Sequence, residues 1–179
     1  FPSLYSPFSP INNTVSLTFK IDSAYNPTDH GVVDPLAIAI HAALAEDLSH
    51  EYIAVIESGF YGQTQMYSEL QLKMNEVITE YLVDFFTTHI PYNYALSLLT
   101  DAGGYARFVV TYNEVGQKMW FGNIADRFTI TNNSDFYITT AINNDRCARR
   151  DSLPQYADWG LPAFIGFTRE PVTALNSDE

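Results

Sequence analysis

The sequence predicts an α+β fold in which two main helices pack on a mostly antiparallel sheet. Apolar residues recur with a period of about 3.6 in two segments of the first half, and with a period of two in the second half. Strands and helices do not alternate regularly, which argues against a doubly wound parallel sheet. We therefore expect the C-terminal half to form a β-meander that ends in an irregular tail.

Size and composition are those of one globular domain. The 179 residues are 46% hydrophobic and 15% aromatic, so the chain can bury a sizeable core. No internal repeat, low-complexity tract or linker divides it. We predict a single domain over residues 1–179, with an extended arm at 1–13 and an irregular wrapping tail at 143–179.

The first predicted elements are an extended arm and a strand. Pro2, Pro7 and Pro10 lack N–H groups, which excludes a helix or a central strand in the arm. Apolar and polar side chains then alternate over 14–22, so we predict a strand with one buried and one exposed face. Its apolar face comprises Val15, Leu17, Phe19 and Ile21.

A first helix is predicted to follow the loop at 26–31. Asp34 is a good N-cap, and Pro35 suits the first helical position. Leucine or isoleucine recurs every fourth residue from Leu36 to Leu48, so the helix should end near Leu48. The short apolar segment 51–56 is predicted to be a strand, ended by Gly59 and Gly62.

The strongest helix is predicted to begin near Thr64 or Met66 and to end before Pro91. Its apolar stripe comprises Tyr67, Leu70, Met74, Val77, Ile78, Tyr81, Leu82, Phe85 and Phe86. This spacing of three and four residues is typical of an amphipathic helix packed on a sheet.

Two hairpins are predicted after this helix. Strands at 105–112 and 118–121 flank a turn at 113–116, and strands at 126–131 and 136–142 flank a turn at 132–135. In the tail, only 163–167 has the pattern of a short strand. The residues expected to be most buried are Phe19, Ile40, Val77, Tyr81 and Phe108.

The charge of the chain excludes some partners. Nine basic and 21 acidic residues give a net charge of −12, which repels phosphate backbones and argues against nucleic-acid binding. No apolar run approaches the roughly 20 residues that span a bilayer. We expect no integral membrane span.

Two features favour a secreted glycoprotein. The chain begins at Phe1 rather than Met, which suits a processed secretory protein or a partly represented longer chain. Asn12 and Asn132 each begin an N-x-S/T glycosylation triplet in a polar stretch. We expect both asparagines to be exposed and at least one to be glycosylated.

The only cysteine, Cys147, lies in a cluster of basic residues. One cysteine cannot form an internal disulfide, so the thiol is free or bridges to another chain. Arg146, Arg149 and Arg150 surround it, and could bind a carboxylate or phosphate or lower the pKa of the thiol. Pairing with carboxylates of this chain or of a neighbouring subunit is the simpler interpretation.

The arm and this cluster are also the predicted subunit interface. Phe1, Leu4, Tyr5 and Phe8 of the arm are apolar but cannot join a regular core element. Aromatic residues and arginines are enriched at interface centres. We therefore expect a homo- or hetero-oligomer.

No sequence motif identifies a catalytic, metal or cofactor site. His50-Glu51 begins like a zinc motif, but Ala54 replaces the second histidine. The leading hypothesis is a non-enzymatic secreted acidic protein of the storage, carrier or recognition type, such as an egg or body-fluid protein, which could hold a small apolar ligand. Two alternatives remain open: a membrane-active, pore-forming protein that uses the 64–89 helix, and an enzyme whose site is assembled from scattered residues.

Overall fold

The fold is α+β, as the sequence predicts, with three main helices packed on antiparallel sheets. The computed structural model describes residues 16–116, 118–131, 161–167 and 170–175, without the side chains of 163 and 164. The strands are β1 (Ser16–Ser23), β2 (Tyr52–Val55), β3 (Phe108–Asn113), β4 (Lys118–Asn123), β5 (Arg127–Ile130) and β6 (Val172–Thr173). The helices are α1 (Pro35–Glu46), α2 (Gln63–Thr88), α3 (Tyr94–Asp101) and the single turn α4 (Leu161–Phe164).

The strands form two sheets. One has the order β2-β1-β5-β6, and the other is the β3–β4 hairpin. The hairpin confirms the predicted turn at 113–116, with Thr111 opposite Trp120 and Val109 opposite Gly122. The predicted partner of β5, residues 136–142, lies outside the described residues. The described neighbours of β5 are instead β1 and β6, far away in the sequence.

The first half of β1 is buried on both faces, although the sequence predicts one exposed face. Phe19 and Thr18 are both fully buried. The difference arises because β1 lies inside the sheet, between β2 and β5, and also contacts α4. The hydroxyls of Thr18 and of Thr131, the residue after β5, form a 2.8 Å hydrogen bond, so the buried polar group is satisfied.

α1 begins as predicted, since the Asp34 carboxylate accepts a hydrogen bond of 3.1 Å from the Leu36 N–H. It ends two residues earlier than predicted, at Glu46, and Leu48 is 41% exposed. In α2 the buried side chains are Met66, Leu70, Met74, Ile78, Leu82, Phe85 and Phe86. Phe19, Ile40 and Phe108 are buried as predicted. The prediction is wrong for Val77 and Tyr81, which are only partly buried because they flank this stripe.

Two short helices differ from the sequence-based expectation. The sequence pattern did not reveal α3, which follows α2 after a 3-10 turn at Ile90–Tyr92. The segment 163–167, predicted as a strand, begins instead inside the helical turn α4. Pro162 at the second position of this turn is compatible with a helix because its missing N–H has no intrahelical partner there.

α2 holds the β3 strand through side-chain amides. The Asn75 Nδ2 donates a 3.0 Å hydrogen bond to the Phe108 carbonyl, and the Asn75 Oδ1 accepts one of 2.9 Å from the Phe108 N–H. The Gln71 Oε1 accepts from the Val110 N–H at 3.0 Å. Along β3, these side chains bond backbone groups that a neighbouring strand would otherwise pair with. They hold the β3–β4 hairpin beside the main sheet.

Gly104 allows the chain to return from α3 to β3 against α2. Its φ of +94° lies in the left-handed region, and an added Cβ would lie 2.9 Å from the Thr79 hydroxyl oxygen. That hydroxyl accepts a hydrogen bond of 2.9 Å from the Tyr105 N–H. A side chain at this position would therefore disturb both the turn and the contact with α2.

Candidate functional site

A cleft of about 1050 Å³ lies where β1 ends and β4 turns into β5. One wall is the segment from the end of β1 through the 3-10 helix Pro27–His30. The other wall is residues 120–128, and residues 174–175 complete the lining.

The first wall is built by a short capped turn. The Asn26 Oδ1 accepts hydrogen bonds from the Thr28 N–H at 3.2 Å and the Thr28 hydroxyl at 2.7 Å, which fixes the start of the 3-10 helix. The ring of Tyr25 stacks on that of His30, with centroids 5.1 Å apart and planes 11° apart. The turn thus presents a pair of aromatic rings to the cleft.

The second wall is also fixed by an asparagine turn. The Asn123 Oδ1 accepts from the N–H groups of Ala125 at 3.1 Å and Asp126 at 2.8 Å. Two large apolar side chains on this wall remain in solvent: Trp120 is 62% exposed and Ile124 is 75% exposed. A rigid turn therefore carries exposed apolar surface beside the cleft.

The Asp126 carboxylate is the buried centre beneath the cleft. It accepts a hydrogen bond of 2.6 Å from the Tyr105 hydroxyl and one of 2.8 Å from the Tyr25 N–H. The Arg107 guanidinium donates to both of its oxygens, at 2.9 and 3.2 Å. The Asp126 side chain is fully buried and that of Arg107 is 15% exposed. Because Tyr25 belongs to the first wall and Asp126 to the second, this carboxylate joins the two walls.

Tyr105 is a neutral donor in this network. Burial, followed by the neighbouring negative charge of Asp126 and the hydrogen bond to it, raises the pKa of Tyr105 well above its usual value. The Asn123 Nδ2 in turn donates a 2.7 Å hydrogen bond to the Tyr105 hydroxyl. Both Asp126 oxygens and the Tyr105 hydroxyl thus have partners, so the network is a structural support.

Two oppositely charged side chains at the cleft are available for a ligand. Asp29 lies on the first wall and Arg127 on the second, and both are exposed. Neither side chain has a hydrogen-bond or ion-pair partner among the described residues, in contrast to Asp126. The cleft therefore offers one anionic acceptor and one cationic donor.

A second depression, of about 680 Å³, lies over the outer face of β1, β5 and β6. Apart from Arg127, which lines both depressions, its charged groups are already paired: Lys20 lies 3.2 Å from Asp22, and the Thr129 hydroxyl donates a 2.5 Å hydrogen bond to the same carboxylate. The hydroxyls of Thr129 and Thr173 are 2.7 Å apart. This surface offers a ligand fewer uncommitted groups than the first cleft.

His50, which the sequence does not support as a zinc ligand because Ala54 replaces the second histidine of the motif, is part of an aromatic cluster. The His50 ring lies 4.6 Å from that of Tyr52 and 4.9 Å from that of Tyr81. Within residues 16–116, 118–131, 161–167 and 170–175, no group of three or more His, Cys, Asp or Glu side chains could hold a metal.

The apolar side of α2, which the membrane-active alternative requires, is occupied by the core. Its buried side chains join the cluster that contains Phe19, Phe108 and Phe128. No helix in the described ranges is long and apolar enough to cross a bilayer. Insertion of α2 would first have to expose this core.

The residues predicted from the sequence as functional lie outside the described residues. These are Asn12, Asn132, Phe1, Leu4, Tyr5, Phe8, Arg146, Cys147, Arg149 and Arg150. Sequence reasoning did not find the cleft, because Tyr25 and Asp126 are 101 positions apart. A local signal was Asn123, whose side chain is of a type that favours turns.

Comparison of the chain with protein families, curated proteins and solved structures found no match.

Proposed function

We propose that this chain is a non-enzymatic secreted binding protein, of the carrier or recognition type, that holds a small ligand in the cleft between Tyr25 and Trp120. One observation carries the proposal: aromatic rings and two uncommitted charged groups, Asp29 and Arg127, line the same cleft of about 1050 Å³. Ligand pockets of roughly 300–1,000 Å³ combine apolar walls with a few convergent polar groups in this way.

The chemistry of the cleft supports binding more than catalysis. Its most buried carboxylate, Asp126, already accepts from Tyr105, Arg107 and the Tyr25 N–H. A general acid or base needs an atom within hydrogen-bond reach of the substrate. Asp126 instead stabilises the walls, which is how a preformed binding site is kept rigid.

The ligand test uses the two tryptophans of the sequence. The variant Trp159→Phe leaves Trp120 as the only indole, so its fluorescence reports the cleft. We expect at least one of four probes (palmitate, retinol, adenosine, cellobiose) to change this emission saturably. Tyr25→Ala in the same background should weaken that binding, whereas Val115→Ala, at a 97% exposed hairpin position, should not. No saturable change with any probe, together with no small molecule in native mass spectra of the protein from its source, would contradict the function.

Secretion and glycosylation complete the proposal. The triplets at Asn12 and Asn132 support them. Intact mass of the source protein before and after glycosidase treatment tests this part, and we expect the mass to fall. An unchanged mass would argue against the secretory route.

We also propose that the protein is an oligomer that associates through the arm and the arginine cluster. Light scattering at neutral pH should give a mass well above the 20.2 kDa of one chain. Deletion of residues 1–10, or charge reversal at Arg149 and Arg150, should reduce this mass. A 20 kDa species across a hundredfold dilution would exclude the oligomer, and an oligomer that survives both changes would exclude these contacts.

A further inference from the structure

We infer that the ligand of the cleft is an uncharged oligosaccharide, one ring of which stacks its C–H face on the Trp120 indole; this inference rests on the binding function proposed above. A sugar ring has an apolar face of C–H groups and a rim of hydroxyls. Its recognition therefore needs an exposed aromatic plane with hydrogen-bonding groups beside it.

Trp120 provides the aromatic plane. Along β4, Met119 and Phe121 pack against the core, so Trp120 lies on the opposite, outer face of the hairpin, where it is 62% exposed. Leaving so large an apolar ring in water is unfavourable, at roughly 25 cal/mol per Å² of apolar surface. A ligand that covers the indole recovers part of this free energy.

The next residue on the same strand face as Trp120 is Gly122, so no side chain projects beside the indole at that position. A Cβ added at Gly122 would meet only the Val109 carbonyl oxygen, at an ordinary contact distance of 3.8 Å. The backbone there therefore does not require glycine. The missing side chain leaves open space next to the indole, where a planar ring can lie.

The opposite wall provides a second aromatic surface. The stacked rings of Tyr25 and His30 line the same cleft as Trp120. The hydrogen bond from the Tyr25 N–H to Asp126 fixes the position of this wall relative to the β4–β5 turn. Two separated aromatic surfaces in a cleft of about 1050 Å³ suit a ligand of more than one sugar ring.

The two charges of the cleft are compatible with an uncharged ligand. Asp29 and Arg127 have opposite signs and are both exposed, so the formal charge that they contribute to the cleft is zero. An anionic ligand would be repelled by Asp29 and by the net charge of −12. A wholly apolar ligand would remove water from both charges without pairing them, which is costly. Hydroxyl groups both donate and accept, so they can satisfy the carboxylate and the guanidinium.

The test is a calorimetric titration of the full chain with neutral oligosaccharides (cellobiose, chitobiose, lactose, maltose). Sialyllactose, palmitate and retinol serve as charged and apolar comparators. We expect at least one neutral sugar to bind, and binding to be at least tenfold weaker in Trp120→Ala and in Gly122→Val. The second variant keeps the indole and fills the space beside it.

Three controls separate recognition from folding. Trp120→Phe keeps an aromatic plane and should bind more tightly than Trp120→Ala. Val115→Ala, on the same hairpin but outside the cleft, should bind as the unmodified chain does. Circular dichroism and melting temperature identify any variant that does not fold. If Trp120→Ala does not fold, Trp120→Phe still tests the role of the indole.

The two proposals can fail separately. Saturable binding of palmitate or retinol, abolished by Trp120→Ala, with no binding of any neutral sugar would overturn the saccharide inference and leave the binding function intact. Sugar binding that is unchanged in Trp120→Ala would also overturn it. Binding of no probe at all would overturn both.

Discussion

The Tyr105 hydroxyl donates a 2.6 Å hydrogen bond to the Asp126 carboxylate in a fully buried setting, and the Arg107 guanidinium lies 2.9 Å from the same carboxylate. Arg107 also lies over the Tyr105 ring, 5.6 Å from its centroid. The charge of Asp126 is thereby balanced where water is excluded. The relationship matters for the cleft because Asp126 also accepts from the Tyr25 N–H on the opposite wall.

Replacing Asp126 by alanine should strongly destabilise the fold. The Arg107 guanidinium, 15% exposed, would lose its only ion-pair partner in the described residues, and the Tyr105 hydroxyl would lose its acceptor. Loss of one partner of a buried pair costs about 3–5 kcal/mol. Urea unfolding measures the change, with Asp29→Ala as the exposed control, expected within about 0.5 kcal/mol of the unmodified chain. A loss for Asp126→Ala as small as that of the control would show that the network is not stabilising.

The stability of the protein should fall at alkaline pH. Burial, as the largest cause, raises the pKa of Tyr52, Tyr81 and Tyr105 above the usual value of 10. Below pH 10 these tyrosines are protonated in both the folded and the unfolded chain. Above pH 10 they ionise first in the unfolded chain, so each further rise in pH favours unfolding, by at most about 1.4 kcal/mol per pH unit for each group.

Absorbance at 295 nm and circular dichroism, recorded together, test this alkaline behaviour. Exposed tyrosines should ionise first, and Tyr105 only as the fold is lost. Tyr105→Phe removes one ionising group and should make the decline of stability less steep. Ionisation of Tyr105 near pH 10 with an unchanged dichroism spectrum would be inconsistent with its buried hydrogen bond.

Replacing Asn75 by alanine should loosen the contact between α2 and the β3–β4 hairpin. The Phe108 N–H and C=O would both lose their side-chain partner. An unsatisfied buried polar group costs about 1–3 kcal/mol. Hydrogen exchange of the Phe108 amide should accelerate with the fall in stability, while Glu80→Ala, on the exposed side of α2, should change neither. Unchanged protection of that amide would show that another group holds β3.

Phe19 should be among the most costly residues to truncate. It is fully buried, and its ring lies 5.4 Å from that of Tyr52 and 5.1 Å from that of Phe108. Phe19→Ala should lower the free energy of unfolding by about 3–5 kcal/mol. Val115→Ala is the matched apolar control, because Val115 is 97% exposed. A loss below about 1 kcal/mol at Phe19 would contradict the packing described here.

The sequence by itself determined the elements whose signals are local. The spacing of Leu70, Met74, Ile78 and Leu82 predicts α2 and its buried face, and Asp34 with Pro35 predicts the start of α1. Alternation predicts β1 and the burial of Phe19. These features depend on residues within a few positions of each other, where periodicity and capping act directly.

Only the tertiary structure decided which strands are neighbours and what lies between them. Thr18 is buried, against the sequence pattern, because β1 has a strand on each side and also contacts α4. The cleft exists because the Tyr25 N–H meets the Asp126 carboxylate across 101 positions of sequence. Such contacts follow from the order of strands in the sheet. That order is stabilised by packing and buried polar pairing between residues far apart in the sequence, which local periodicity does not encode.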